Sequence, residues 1–137
     1  MWWMYALLSA FFAALTAVLA KVGIDKVDTN LATAIRTVVI LLIAWGIVIA
    51  RGSWPGIAQL STRNWTFLLL SGVATGLSWL CYFKALQLGK VSQVAPVDKL
   101  SVAIAIGLAV LFLGETLTMK AAVGASLIIA GTLVLIR

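Results

Sequence analysis

The residues best suited to chemistry lie in the segment VAPVDKLS, residues 94–101, where Asp98 and Lys99 follow Pro96 within an apolar stretch. Neighbouring residues of a helix point about 100° apart, so we expect these two charged side chains to find partners on other elements. The proline removes a backbone hydrogen bond and should kink or open the first turns of this helix, leaving a carbonyl oxygen free near the second helix. Broken helices of this kind can provide sites for ions and polar solutes inside a membrane.

The composition places this segment in a membrane protein. Apolar residues make up 64% of the 137 residues and charged residues 10%, whereas an ordinary soluble domain has roughly 25% charged residues. The mean hydropathy is +1.16, and a soluble chain of this length could not hide so much apolar surface from water. We therefore predict an all-α integral membrane protein surrounded by a lipid bilayer.

Other functional classes find no support in the residue types. The net charge is +6, but the basic residues occur singly between apolar runs, so we expect no nucleic-acid partner. The chain has no histidine and one cysteine, Cys81, so we expect no metal, cofactor or redox site. The P-loop, GxSxG and GxGxxG motifs are absent from the sequence, and we predict that the protein is not an enzyme.

Five apolar runs have the length that a membrane-spanning helix needs, which is about 20 residues. Short connectors separate them, and none is long enough for a second domain. The first run lacks the basic start of a signal peptide and should remain in the mature protein. The predicted helices of this single domain cover residues 2–20, 31–50, 64–88, 92–113 and 118–136.

Four charged residues are expected at one depth within these helices. If the membrane face where the first helix ends is called side B, then Arg36, Lys84, Asp98 and Lys99 all lie roughly 6 to 11 Å below it. At the centre of a membrane helix, Asp98 and Lys99 together would oppose insertion of the fourth helix by about 5 to 7 kcal/mol, and the cost is lower nearer the membrane surface. These charges should therefore face other helices or a wet cavity, and we interpret them as substrate-binding or gating residues.

A purely structural role is the alternative for each of these residues. Lys99 could extend to the membrane surface while Asp98 neutralises Arg36 or Lys84. Two aromatic residues on one face of the third helix, Trp79 and Tyr82, either pack in the core or form a wall of the substrate site.

Small residues recur at helical spacing in all five predicted helices. Such faces let helices approach closely, because packing rather than hydrophobicity drives helix association in lipid. We expect the glycines of these faces to contact neighbouring helices: Gly72, Gly76, Gly107, Gly124 and Gly131.

Residues 82–136 resemble the EamA-type repeat of the drug/metabolite transporter superfamily. The resemblance is carried by ALQLG, by the proline and charged pair of the fourth helix, by LGETLT with Glu115, and by the glycine-spaced last helix. The segment AIR at residues 34–36 matches an arginine often found in the second helix of that repeat. Members of the superfamily typically have ten helices in two inverted five-helix repeats, whereas this chain has one. The resemblance therefore implies a transporter assembled from two five-helix halves, and small relatives that pair support this.

We predict a transporter of a small polar metabolite or drug that works by alternating access as a dimer in the bacterial inner membrane. The alternative is a non-transporting scaffold or accessory subunit of a larger membrane complex. The partner half is either a second copy or a paralogous chain. Basic residues outside the membrane number three on side A and four on side B, too even to set one orientation, so we predict dual insertion and an antiparallel homodimer. These residues are Arg51, Arg63 and Lys120 on side A, and Lys21, Lys26, Lys90 and Arg137 on side B.

Overall fold

A computed structural model describes residues 1–136 and shows only helices and connecting turns in that part of the chain. The helices are α1 (Trp2–Gly23), α2 (Thr29–Ala50), α3 (Thr62–Leu88), α4 (Val91–Asp98), α5 (Leu100–Leu113) and α6 (Met119–Ile136), and a 3₁₀ helix spans Trp54–Gln59. Five helical stretches are long and apolar enough to cross a membrane, with α4 and α5 together forming the fourth, Val91–Leu113. The prediction of an all-α protein with five spans is confirmed.

Helix ends follow local capping chemistry rather than the apolar runs alone. The side chain of Asp28 accepts hydrogen bonds from the backbone N–H groups of Asn30 and Leu31, at 3.0 and 2.9 Å. It thereby satisfies two donors that a helix start otherwise leaves unpaired, and α2 begins at Thr29 rather than at Leu31. At the end of α5, Gly114 adopts a φ of +69°, the left-handed conformation that glycine accepts without strain.

The described chain divides into two compact units. One comprises residues 1–19 and 88–136, and in it α6 packs against both α4 and α5. The other comprises residues 20–87 and includes the end of α1, all of α2, and α3 except its last residue, Leu88. The charged pair Asp98 and Lys99 belongs to the first unit, whereas Arg36, Trp79 and Lys84 belong to the second.

Few side chains are buried within this single chain. Trp2, Phe11 and Leu42 are exposed over 81%, 63% and 67% of their surfaces, and many other apolar residues resemble them. Within the residues described, the buried side chains are small or sit near helix ends: Ala17, Ala20, Ile24, Thr29, Thr33, Phe83, Leu86 and Thr132. Such outward-facing apolar surface is stable against lipid, which solvates it as well as other protein would.

Candidate functional site

The fourth span is interrupted three residues after Pro96. Helix α4 ends at Asp98, Lys99 has φ −71° and ψ −10°, and α5 begins at Leu100. The backbone N–H of Lys99 lies 3.3 Å from the carbonyl oxygen of Ala95 and 3.1 Å from that of Pro96. This shared bond tightens the last turn of α4, so the charged pair stands where one helix gives way to the next.

A hydroxyl of α6 binds at this interruption. The side chain of Thr132 is buried, and its hydroxyl lies 3.1 Å from the carbonyl oxygen of Pro96 and 2.8 Å from that of Ile128. The second contact is the usual bond of a threonine to its own helix, while the first joins α6 to α4. Sequence reasoning missed Thr132, although a hydroxyl directly after Gly131 on an apolar helix was a signal for such a bond.

Asp98 and Lys99 contact each other, contrary to the expectation that their partners must lie elsewhere. Lys99 Nζ is 3.2 Å from Asp98 Oδ2, with the lysine side chain 57% exposed and the aspartate 35%. The flexible four-carbon lysine chain reaches back to its neighbour, so the 100° angle between their Cα–Cβ directions does not keep the charged ends apart. The Asp98 carboxylate and the Lys99 ammonium therefore form an ion pair at the surface of this chain.

Arg36 lies on an aromatic surface of α3. Its guanidinium carbon is 4.2 Å from the ring centroid of Phe83 and 5.8 Å from that of Trp79. Trp79 and Phe83 are one helical turn apart and therefore share a face of α3. Sequence analysis singled out Trp79 and Tyr82, but the ring nearest to the guanidinium is that of Phe83, which the i, i+4 spacing from Trp79 could have indicated.

One nitrogen of Arg36 is buried without a hydrogen-bond partner. Nη1 has none among residues 1–136, although the residue as a whole is half-buried. Attraction to an aromatic face is worth about 0.5 to 2 kcal/mol and does not use the N–H groups, which point outward in the guanidinium plane. A buried donor left unpaired costs about 1 to 3 kcal/mol, so an acceptor that reached this nitrogen after a small side-chain movement would recover that free energy.

The remaining predicted site residues of α3 have different surroundings. The ring of Tyr82 meets that of Phe83 edge to face, with centroids 5.7 Å apart. Lys84 is exposed and donates to the side-chain oxygen of Gln87 at 3.1 Å. Gln87 in turn donates to the carbonyl oxygen of Val27 at 2.9 Å. Lys84 thus takes part in a hydrogen-bond chain to the α1–α2 loop.

That loop borders an open pocket of about 330 Å³, which sequence analysis did not predict. Lys21 Nζ donates to the carbonyl oxygen of Leu86 at 2.5 Å, joining the end of α1 to the end of α3. The pocket is lined by Lys21, Val22, Ile24, Asp25, Lys26 and Gln87. Its basic and acidic groups lie outside the apolar spans.

The five glycines predicted to pack are open in this single chain. A Cβ atom added at Gly72, Gly76, Gly107, Gly124 or Gly131 would meet no heavy atom within 4 Å in the part of the chain described. Close helix contact at these positions is therefore not seen within either unit, and the contact with neighbouring helices stays a prediction.

Among residues 1–136, no group of three or more His, Cys, Asp or Glu side chains is placed to hold a metal ion. Cys81 is an exposed free thiol. The candidate functional groups are therefore charged side chains. One unit contains the Asp98–Lys99 pair between α4 and α5, and the other contains Arg36 beside the ring of Phe83.

Five apolar helices of membrane-spanning length, the fourth interrupted at a charged pair, define an integral membrane protein. The chain belongs to the EamA-like transporter family, whose sequence pattern matches residues 1–137. This agrees with the resemblance seen in the sequence to a single repeat of the drug/metabolite transporter superfamily.

Two relatives are similar to the chain. The "Uncharacterized transporter in cobO 3′ region" of Sinorhizobium sp is 52% identical over 134 residues, covering 98% of this chain and 95% of the relative. An uncharacterized protein of Methanocaldococcus jannaschii is 39% identical over 70 residues, covering 51% of each chain. No solved structure matches the chain.

Proposed function

We propose that the protein transports a small polar metabolite or drug across the bacterial inner membrane by alternating access, as a dimer of five-helix halves. The observation that carries this proposal is the interruption of the fourth span at Asp98 and Lys99. A membrane helix that only holds the fold has no need of an acid, a base and a proline within its apolar length. Transporters use such discontinuous helices to form solute and ion sites.

The proposed roles follow from the groups each residue presents. Asp98 and Lys99 pair with each other while no solute is bound, and a polar solute replaces one or both partners as it enters. The pair is partly exposed at the surface of the single chain, so no side chain of this chain blocks a solute from reaching it. Pro96 lacks the N–H that would bond the carbonyl of Ser92 in the same helix, and Arg36 is a separate charged group on α2 in the other unit.

The dimer supplies what one five-helix half lacks. Alternating access in this superfamily uses two pseudo-symmetric halves around a central site, and this chain supplies one of them. The glycine positions that are open in a single copy provide close-approach surfaces for a second. Because basic residues outside the membrane are nearly balanced between the two sides, the partner we propose is an antiparallel second copy rather than a paralogous half.

Transport by purified protein in liposomes tests this proposal. Vesicles are loaded with a mixture of polar metabolites, and the solutes that cross are identified by mass spectrometry. The assay compares three site variants with one control: Asp98→Asn, Lys99→Ala and the double variant against Lys120→Ala. Lys120 lies in the first turn of α6, away from the apolar part of that helix. We expect selective movement of a solute class that the site variants lose and the control keeps.

Two outcomes contradict the proposal. If properly folded site variants move the same solutes as the unmodified protein, the charged pair has no role in transport. If the protein moves nothing beyond empty liposomes, whatever the solute mixture, and the site variants only reduce folded yield, the scaffold function explains the charges better.

A further inference from the structure

We propose that Arg36 binds an oxyanion of the transported solute, so that the preferred solutes carry a carboxylate beside an apolar or aromatic body. This inference rests on the proposed transport function and specifies the substrate class of the same protein. It assigns one wall of the site to the rings of Trp79 and Phe83 and the anion contact to the edge of the guanidinium.

The guanidinium of Arg36 contacts an aromatic ring but has an N–H group without an acceptor. Its central carbon lies 4.2 Å from the Phe83 centroid, a distance typical of a cation–π contact. The N–H groups lie in the guanidinium plane, and Nη1 is buried without an acceptor among residues 1–136. A carboxylate or phosphate matches this edge because both present two oxygens at the spacing of the arginine fork.

No carboxylate within the helices of the same unit is available to Arg36. In residues 20–87 the acidic residues are Asp25 and Asp28, and both belong to the α1–α2 loop. Asp28 is engaged in capping α2, and Asp25 is exposed at the loop pocket. An unpaired cation inside an apolar span costs free energy. An anion that binds Arg36 relieves this cost, which makes its binding more favourable there than beside a solvated lysine or arginine.

Depth distinguishes a solute from a lipid headgroup as the source of the oxyanion. Arg36 lies seven residues after Thr29, or about 10 Å along α2. Phe83, which its guanidinium contacts, lies five residues before the end of α3, or about 7 to 8 Å. A lipid phosphate sits at the membrane surface beyond these helix ends, whereas a small solute can enter to this level. We therefore favour the solute.

The rings define what can accompany the anion. Trp79 is half-buried, and its ring centroid is 5.8 Å from the guanidinium carbon, so it borders the space beside the cation rather than filling it. An apolar or aromatic group attached to the carboxylate can pack against this ring while the carboxylate binds Nη1.

Thermal unfolding of the protein in a neutral, phosphate-free detergent tests the inference with a matched pair of probes. Phenylacetate and phenylacetamide have nearly the same size and ring and differ in charge. We expect phenylacetate at about ten times its Kd to raise the melting temperature by about 4 to 7 °C and phenylacetamide to raise it by less than half as much. Arg36→Gln should abolish the difference, and Arg36→Lys should reduce it because the planar fork is lost.

Arg63→Gln is the matched control, since Arg63 is also an arginine beside a phenylalanine of α3, 5.9 Å from the Phe67 ring centroid, but in the first turn of that helix. It should keep the full difference between the probes. Equal shifts in melting temperature with phenylacetate and phenylacetamide in the unmodified protein overturn the inference. This result does not depend on whether any variant folds. A difference that persists in Arg36→Gln also overturns it, because the anion then binds elsewhere.

Two further arms identify the source of the oxyanion. Inorganic phosphate should stabilise the protein less than phenylacetate, because it lacks an apolar body. Addition of phosphatidylglycerol to phosphatidylcholine vesicles should leave the Arg36-dependent shift by phenylacetate in place. If phosphatidylglycerol alone reproduces that shift and blocks phenylacetate, Arg36 binds lipid phosphate and the solute assignment fails. Transport of solutes without a carboxylate preference would overturn this inference while leaving the proposed transport function intact.

Discussion

The hydroxyl of Thr132 in α6 lies 3.1 Å from the carbonyl oxygen of Pro96 in α4. Pro96 shortens the hydrogen-bond ladder of its helix, and the backbone is interrupted three residues later at Lys99. One buried side chain on a neighbouring helix thus stabilises the position of the interruption.

Replacing Thr132 by valine removes this bond while keeping the shape of the side chain. We expect a loss of about 0.5 to 1.5 kcal/mol in the free energy of unfolding, the usual net value of one hydrogen bond. Unfolding in detergent, followed by circular dichroism, measures it. Thr75→Val is the matched control, because the Thr75 hydroxyl is bound only to the Ser71 carbonyl of its own helix. Equal losses in the two variants would show that the Pro96 contact contributes nothing.

The Asp98–Lys99 pair should contribute little to stability and much to transport. The proposed transport requires this partly exposed pair to face a water-filled route, where an ion pair is worth about 1 kcal/mol or less. In a double-mutant cycle with Asp98→Asn and Lys99→Ala, we therefore expect a coupling free energy no larger than this, with near-normal folded yield. A coupling of about 3 kcal/mol or more would indicate a structural pair and favour the scaffold function.

The cap of α2 offers a direct test of the local structure at the α1–α2 loop. Asp28→Ala should lower the free energy of unfolding by about 0.5 to 2 kcal/mol, because two backbone N–H groups lose their acceptor. Asp25→Ala removes the same charge from the same loop without touching a cap and should have a smaller effect. Similar losses for both would assign the effect to loop charge rather than to capping.

A large side chain at Gly76 should reduce dimer formation more than it affects the folding of the single chain. Added atoms at this glycine meet nothing within 4 Å in one copy, so Gly76→Leu should leave the helix content unchanged while reducing the dimeric fraction. Chemical crosslinking in membranes measures that fraction. Gly46→Leu in α2, also open in one copy and outside the predicted packing faces, is the control. An unchanged dimer in the Gly76 variant would place this face toward lipid.

Orientation in the membrane should be mixed. With Cys81 replaced by serine, a cysteine introduced at Ser53 lies in the turn between α2 and the 3₁₀ helix. The predicted dual insertion makes this thiol reactive toward impermeant reagents from both faces of the membrane. Labelling from one face alone would leave a parallel dimer or a separate partner half as the explanation.

The five spans could be predicted from sequence because membrane insertion responds to the summed hydrophobicity of about 20 consecutive residues, a local property. A kink in the first turns of the fourth span was expected for a related reason, since a proline removes its backbone bond in any surroundings. The position of the irregular turn at Lys99 came from the structure. Helix ends shifted by two or three residues where side-chain caps, such as that of Asp28, extended the helix beyond the apolar run.

Contacts between helices were decided only by the tertiary structure. Helices that are apolar on all sides carry little information about which face meets a neighbour, because lipid and protein solvate such faces almost equally. For that reason the sequence placed Arg36 at a depth but did not assign it to Phe83. A threonine after Gly131 indicated a hydrogen bond from α6, but not that Pro96 would be its acceptor. The pairing of Lys99 with Asp98 likewise depended on how a flexible side chain folds back at a helix end. Residue spacing along one helix predicts the direction in which a side chain points. The residue that it contacts depends on how separate helices pack against each other.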